Sequence, residues 1–71
     1  MSNVRIGKWE RHTGRLKSRL IEARDQGFTA TEWTDGREYW ACAFGTTSER
    51  FRFSYQAHTW IADRYHRENA H

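Results

Sequence analysis

The chain contains no proline and a single cysteine, Cys42. One cysteine excludes an internal disulfide, and a thiol without a partner suits a reducing, intracellular setting. With proline missing, punctuation of the chain falls to five glycines, the other strong breakers of regular structure. Long apolar runs are missing too. Nothing approaches the ~20 apolar residues that would span a bilayer, and the mean hydropathy is -1.06. The opening stretch, MSNVRIGKWERHTGR, is polar and basic and lacks the apolar segment of a secretory signal. The expectation is a cytoplasmic protein with no membrane partner. Repeats, low-complexity runs and linkers are also absent, so residues 1–71 read as a single domain with 1–7 and 69–71 expected to be flexible.

What the chain does have is aromatic content. Aromatics make up 15% of the residues, including four tryptophans, which sets the sequence apart from disordered chains. A domain this short buries only about 60% of its unfolded surface. Large rings are an efficient way to build a core from few residues. Twelve basic residues against nine acidic ones give a formal charge of +3 and a pI near 9.5. That excess leans modestly toward an anionic partner.

Leu16, Leu20 and Ala23 recur at helical spacing, and Trp9 and His12 extend the stripe backwards. This predicts a first helix ending at Gly27, a left-handed cap, with Phe28 reaching back to Ala23. Thr13 is one candidate N-cap. The other start is near Gly7, with Gly14 tolerated inside the helix at about 1 kcal/mol. Asp35-Gly36 then reads as a two-residue hairpin turn between Thr29–Thr34 and Arg37–Phe44. That turn pairs Trp33 with Glu38 and Thr31 with Trp40. A third strand is expected at Glu49–Ser54 after a GTTS loop. A last helix is expected from about Ser54 to Glu68, capped by Ser54, with Ala57, Trp60, Ile61 and Tyr65 on one face.

The expected fold is α+β, one small domain in the order α-β-β-β-α. Its three-stranded antiparallel sheet is covered on one face by two helices. Alternation places Trp33, Trp40, Cys42, Phe44, Phe51 and Phe53 on the covered side. Arg37, Tyr39, Ala41, Ala43, Arg50 and Arg52 fall on the wet side.

That wet side is the first candidate site. Arg37, Tyr39, Arg50 and Arg52 surround a floor of Ala41 and Ala43, with Glu32 diluting the charge. Arginine serves phosphates and base edges, and small residues permit close approach. A sheet face of this kind can enter a major groove or carry unpaired bases. The ordinary alternative is a solvated face. Lys8, Arg11, Arg15 and Arg19 would line one flank of the first helix, with Lys17 and Arg24 on the other, as a ridge for a phosphate backbone. The ordinary alternative there is a charged helix exterior, with Arg19 pairing Glu22.

No metal or other cofactor is expected, because Cys42, His12, His58, His66 and His71 show no ligand spacing. A Cys42–His58 dyad would lack a third member and a cavity of the usual ~300 Å3 or more. The chain therefore reads as non-enzymatic. The expected partner is nucleic acid, DNA in preference to RNA. The alternative is a host protein complex anchored by Trp33 and Tyr39, since hot spots favour Trp, Tyr and Arg. A homodimer is compatible with a thin core and an exposed strand edge.

Two patterns resemble known families. Residues 37–65, with the stretch RFRFSYQAHTWI, look like the sheet-plus-helix unit by which tyrosine integrases hold arm-type DNA sites. The resemblance implies a major-groove role for Arg37, Tyr39, Arg50 and Arg52. The α-β-β-β-α order is similar to that of double-stranded RNA-binding domains. Those carry a lysine cluster at the start of the last helix, where this chain has SYQAHTW, so their activity is not carried over. By type alone, a short, proline-free, aromatic-rich chain is also similar to phage and mobile-element inhibitors, anti-CRISPR proteins among them, that dock on host complexes.

Overall fold

An antiparallel sheet and one helix make up the computed structural model, which describes residues 4–69. The strands are β1 (Val4–Ile6), β2 (Glu10–Arg11), β3 (Lys17–Ala23), β4 (Phe28–Thr34), β5 (Tyr39–Ala43) and β6 (Thr46–Thr47). The helix is α1 (Ser54–Asn69). The spatial order is β1-β3-β4-β5-β6, with β2 also pairing β3. The class is α+β as expected, but the described residues form more strands and one α-helix in place of two. His71 lies outside the described residues.

The expected first helix is the largest correction. Its span holds β1, β2, β3 and a short turn instead. Leu20 and Ala23 share a helical stripe on paper, yet in β3 they point to opposite faces, and Leu20 is 47% exposed. Ile6 pairs with Ile21 and Glu10 with Ser18, so Gly7, Lys8 and Trp9 lie opposite Arg19 and Leu20 alone. This is a bulge, which bends the edge and re-aims a side chain. Gly7 permits it. Its amide donates to Leu20 O at 2.8 Å, and a Cβ there would sit 3.3 Å from that oxygen. Gly27 is left-handed as expected (φ 64), but it closes a 3-10 turn, Arg24–Gln26, between β3 and β4. Phe28 and Ala23 are neighbours as cross-strand partners.

The hairpin sits where Asp35-Gly36 predicted it, with a different register. Thr34 pairs with Tyr39 and Trp33 with Trp40, which leaves Asp35–Glu38 as a four-residue loop. Asp35 Oδ1 accepts from the amides of Arg37 and Glu38, both at 2.9 Å. An Asp side chain that satisfies the amides after it favours this wider loop over a two-residue turn. The slip is an even number of residues, so each side chain keeps its expected face. The third strand is displaced as well. Phe44 (φ 53) and Gly45 (φ 73) make the tight turn, and β6 follows at once. Of the expected strand only the Tyr39–Phe51 bridge remains.

The face assignment is reversed. The helix covers the side with the small residues. Ala41 and Ala57 are 0% exposed, and Ala30, Ala43 and Ile61 are nearly so. Alanines on both elements allow the helix and sheet to come close, and Ile21, Ala23 and Phe28 join them, with Tyr39, Trp60, Tyr65 and Phe51, the last expected on the covered side, packed against this core. Trp33, Trp40 and Cys42 lie on the other face, half-buried, and no described element packs on them. Phe53, expected inside, is 51% exposed and stacks on Tyr55. The helix start is also capped differently. Gln56 Oε1 accepts from the amides of Arg52 and Phe53 at 3.1 and 2.9 Å, the back-reaching half of a capping box. Ser54 is the first helical residue, and its hydroxyl points to Glu32.

Candidate functional site

Glu32 is fully buried at the centre of β4, under the start of α1. Its neighbours across the sheet are Arg19 and Ala41. Arg19 Nε donates to Oε1 at 2.7 Å, His58 Nε2 lies 2.8 Å from the same oxygen, and Ser54 Oγ donates to Oε2 at 2.5 Å. Burial raises the pKa of this carboxyl. The hydrogen bonds from Ser54, Arg19 and His58 outweigh that and hold it below its ordinary value. The expectation that Glu32 dilutes charge on a wet face is therefore corrected.

Ser, His and Glu at hydrogen-bond distance invite comparison with a nucleophilic triad. In such a triad the two ring nitrogens serve different partners. Here Nε2 of His58 faces both Ser54, at 3.4 Å, and Glu32. The ring cannot pass a proton from one to the other. The cluster instead ties the helix to the sheet. Cys42 is not near it. Cys42 sits on the opposite face, 3.3 Å from Thr47 Oγ1. Among the described residues, no group of three or more His, Cys, Asp or Glu is placed to hold a metal.

Arg19 also reaches the other way. Its guanidinium carbon lies 4.3 Å from the centroid of Trp9, the residue redirected by the bulge. Beyond that contact is a hollow of about 370 Å3, lined by Trp9, Arg11, Gly14, Arg15, Lys17, Thr34, Gly36 and Tyr39. Lys17, Thr34 and Tyr39 form one row across β3, β4 and β5, a row before Glu32. The turns around Gly14 and Gly36 close its end. Among the described residues no carboxylate lines it. Arg11 and Lys17 are direct cross-strand partners, an arrangement that costs stability because like charges face each other. Neither they nor Arg15 joins any ion pair among the described residues. Asp35, the nearest acidic residue of the adjoining loop in sequence, is already engaged. Amides of Glu38 and Arg37, and then Arg50, keep its carboxyl below its ordinary range.

The expected site residues are thus redistributed. Tyr39, Arg11 and Arg15 meet in the hollow, joined by Trp9 and Lys17. Lys17 had been assigned to the other flank of a helix that does not form. Arg37 and Lys8 are exposed beside it in sequence, in the hairpin loop and the bulge. Arg19 does not line the hollow, because its guanidinium is held by Glu32 and Trp9. Arg50 stacks over Trp40 at 4.0 Å on the open face and pairs with Asp35 at 3.1 Å and Glu38 at 3.6 Å. Arg52 is exposed before the helix, with its amide on Gln56. Ala41 and Ala43, the expected floor, are under the helix. Trp33 stands on the open face, tilted against His12 at 5.0 Å.

A second hollow of about 320 Å3 separates β1 from α1. It is mostly apolar, walled by Val4, Ile6, Phe28, Ile61 and Tyr65. Neither hollow contains Cys42, so the expectation of no cavity at a Cys42–His58 dyad is unchanged, although His58 borders the second hollow. No family model, curated protein or solved structure matches the chain.

Proposed function

We propose that this is a non-enzymatic binding domain whose partner is nucleic acid, held at the hollow between the two glycine turns. The observation that carries the reading is the lining of that hollow. Arg11, Arg15 and Lys17 stand beside Trp9 and Tyr39 with no acidic residue among them. These cations have no ion-pair partner among the described residues, and Arg11 and Lys17 oppose each other across a strand pair, which costs stability unless an anion joins them. Aromatic rings interleaved with cations suit a polyanion that also carries flat bases.

The test is a titration of mixed single- and double-stranded DNA and RNA at about 50 and 200 mM salt, a range over which phosphate-driven affinity falls measurably. Binding at the lower salt that weakens steeply at the higher is the expected result. No binding at the lower salt overturns the reading.

The open face favours a second reading, docking on another protein. Trp33 and Trp40 are cross-strand partners there, and Leu20 is 47% exposed. Under this reading a complex would tolerate salt and would weaken on Trp33→Ala.

A further inference from the structure

Trp9 lines the hollow. The bulge at Gly7–Trp9 turns it toward the hollow, and Arg19 lies against its ring at 4.3 Å. Arg19 is in turn fixed by the buried Glu32 at 2.7 Å. A ring braced in this way loses little freedom when a flat group settles on it. Tyr39 supplies a second aromatic wall from β5.

Which form of nucleic acid can use such a wall follows from geometry. Inside a duplex the faces of each base are already stacked, so an aromatic side chain reaches them only if the strand is open. The volume of the hollow, about 370 Å3, lies at the low end of the ~300–1,000 Å3 range of small-ligand sites. That suits one nucleoside-sized group rather than the side of a double helix. The cations agree. Arg11, Arg15 and Lys17 can neutralise about three phosphates, whereas a strongly salt-dependent duplex binder contacts about 6–10.

We infer that the hollow takes single-stranded nucleic acid, with a base stacked on Trp9 and the backbone phosphates along Arg11, Arg15 and Lys17. This rests on the nucleic-acid reading above. Arg19 is then a positioning residue, which holds Trp9 and leaves the phosphates to its neighbours.

The experiment compares a labelled oligothymidylate of ~10 nucleotides, within the span of one small binding module, with a duplex of equal length. Anisotropy is read at about 50 mM salt and above. The single strand should bind at least about tenfold more tightly. Its log–log salt slope should be about -2, from roughly 0.7 per phosphate over three phosphates. Trp9→Ala should weaken it about tenfold, in line with the loss of one stacked base. Trp9→Phe should keep most of the affinity. Should Trp9→Ala fail to fold, the fluorescence lost between wild type and Trp9→Phe isolates the Trp9 signal, which the oligonucleotide should quench. Equal or tighter duplex binding, or a Trp9 signal blind to the single strand, overturns the single-strand assignment and leaves nucleic-acid binding standing. Failure of both nucleic acids to bind at the lower salt overturns the two together.

Discussion

At the residue scale, Glu32 is a charged group buried beside a core built largely of alanine. Its charge is buried, and Arg19, His58 and Ser54 hold it in place. Removing one partner of a buried ion pair costs about 3–5 kcal/mol. Arg19 and His58 keep some exposure, 19% and 32% of their side chains, so Glu32→Gln should cost about 3 kcal/mol, at the low end of that range. The pH dependence has a definite sign. The native carboxyl titrates below its ordinary 4.5, so the unfolded chain takes up the proton first as pH falls. The stabilisation is complete above 4.5 and is lost as pH drops through the lower native value. Urea midpoints of wild type and Glu32→Gln should therefore be far apart near neutrality and converge in acid. A gap that stays constant into acid would show that the charge of Glu32 contributes nothing.

At the element scale, the sheet stands or falls on which face the helix covers. Ala41→Leu should destabilise by about 1–3 kcal/mol through overpacking, because Ala41 is 0% exposed beneath α1. Thr29→Ala, on the open face, should stay within about 0.5 kcal/mol of wild type. Thermal denaturation of both variants checks this, and a neutral Ala41→Leu would put the helix on the tryptophan face instead. That alternative is the one alternation suggested, and the reason is instructive. The pattern of β4 and β5 correctly sorted residues into two faces. It did not say which face is inside, since large apolar residues are only statistically buried. Close helix approach favoured alanine, and Trp33 and Trp40 found cover in His12, Arg50 and each other. The last helix was legible because Ala57, Trp60, Ile61 and Tyr65 repeat over two turns. The segment before Gly27 was not, because its apolar residues were too few to separate a period of 3.6 from one of 2. Gly7 and Gly14, which a helix accommodates poorly, were the residues that spoke against one. The burial of Glu32 had no local signal. It depends on Arg19, Ser54 and His58, each of which lies far from Glu32 in the chain.

At the scale of the whole molecule, the extents of 40 × 21 × 20 Å describe an elongated body. No described helix is long and apolar enough to cross a membrane. Charge is not spread evenly over this body. Arg19, Arg50 and Arg64 pair with carboxylates, while Arg11, Arg15 and Lys17 share one hollow with no such pair among the described residues. Tyr39, Arg11 and Arg15 are expected site residues on a wet face and a helical ridge, neither of which the fold contains in that form. The bulge and the two turns bring them together by another route. The measurement that bears most directly on this account is the affinity of a labelled oligonucleotide for the Arg11→Ala, Arg15→Ala, Lys17→Ala triple variant beside wild type. With the fold intact by circular dichroism, the account predicts a loss of about tenfold or more at low salt and a flatter salt dependence. Binding by the folded triple variant as tight as that of wild type would contradict it.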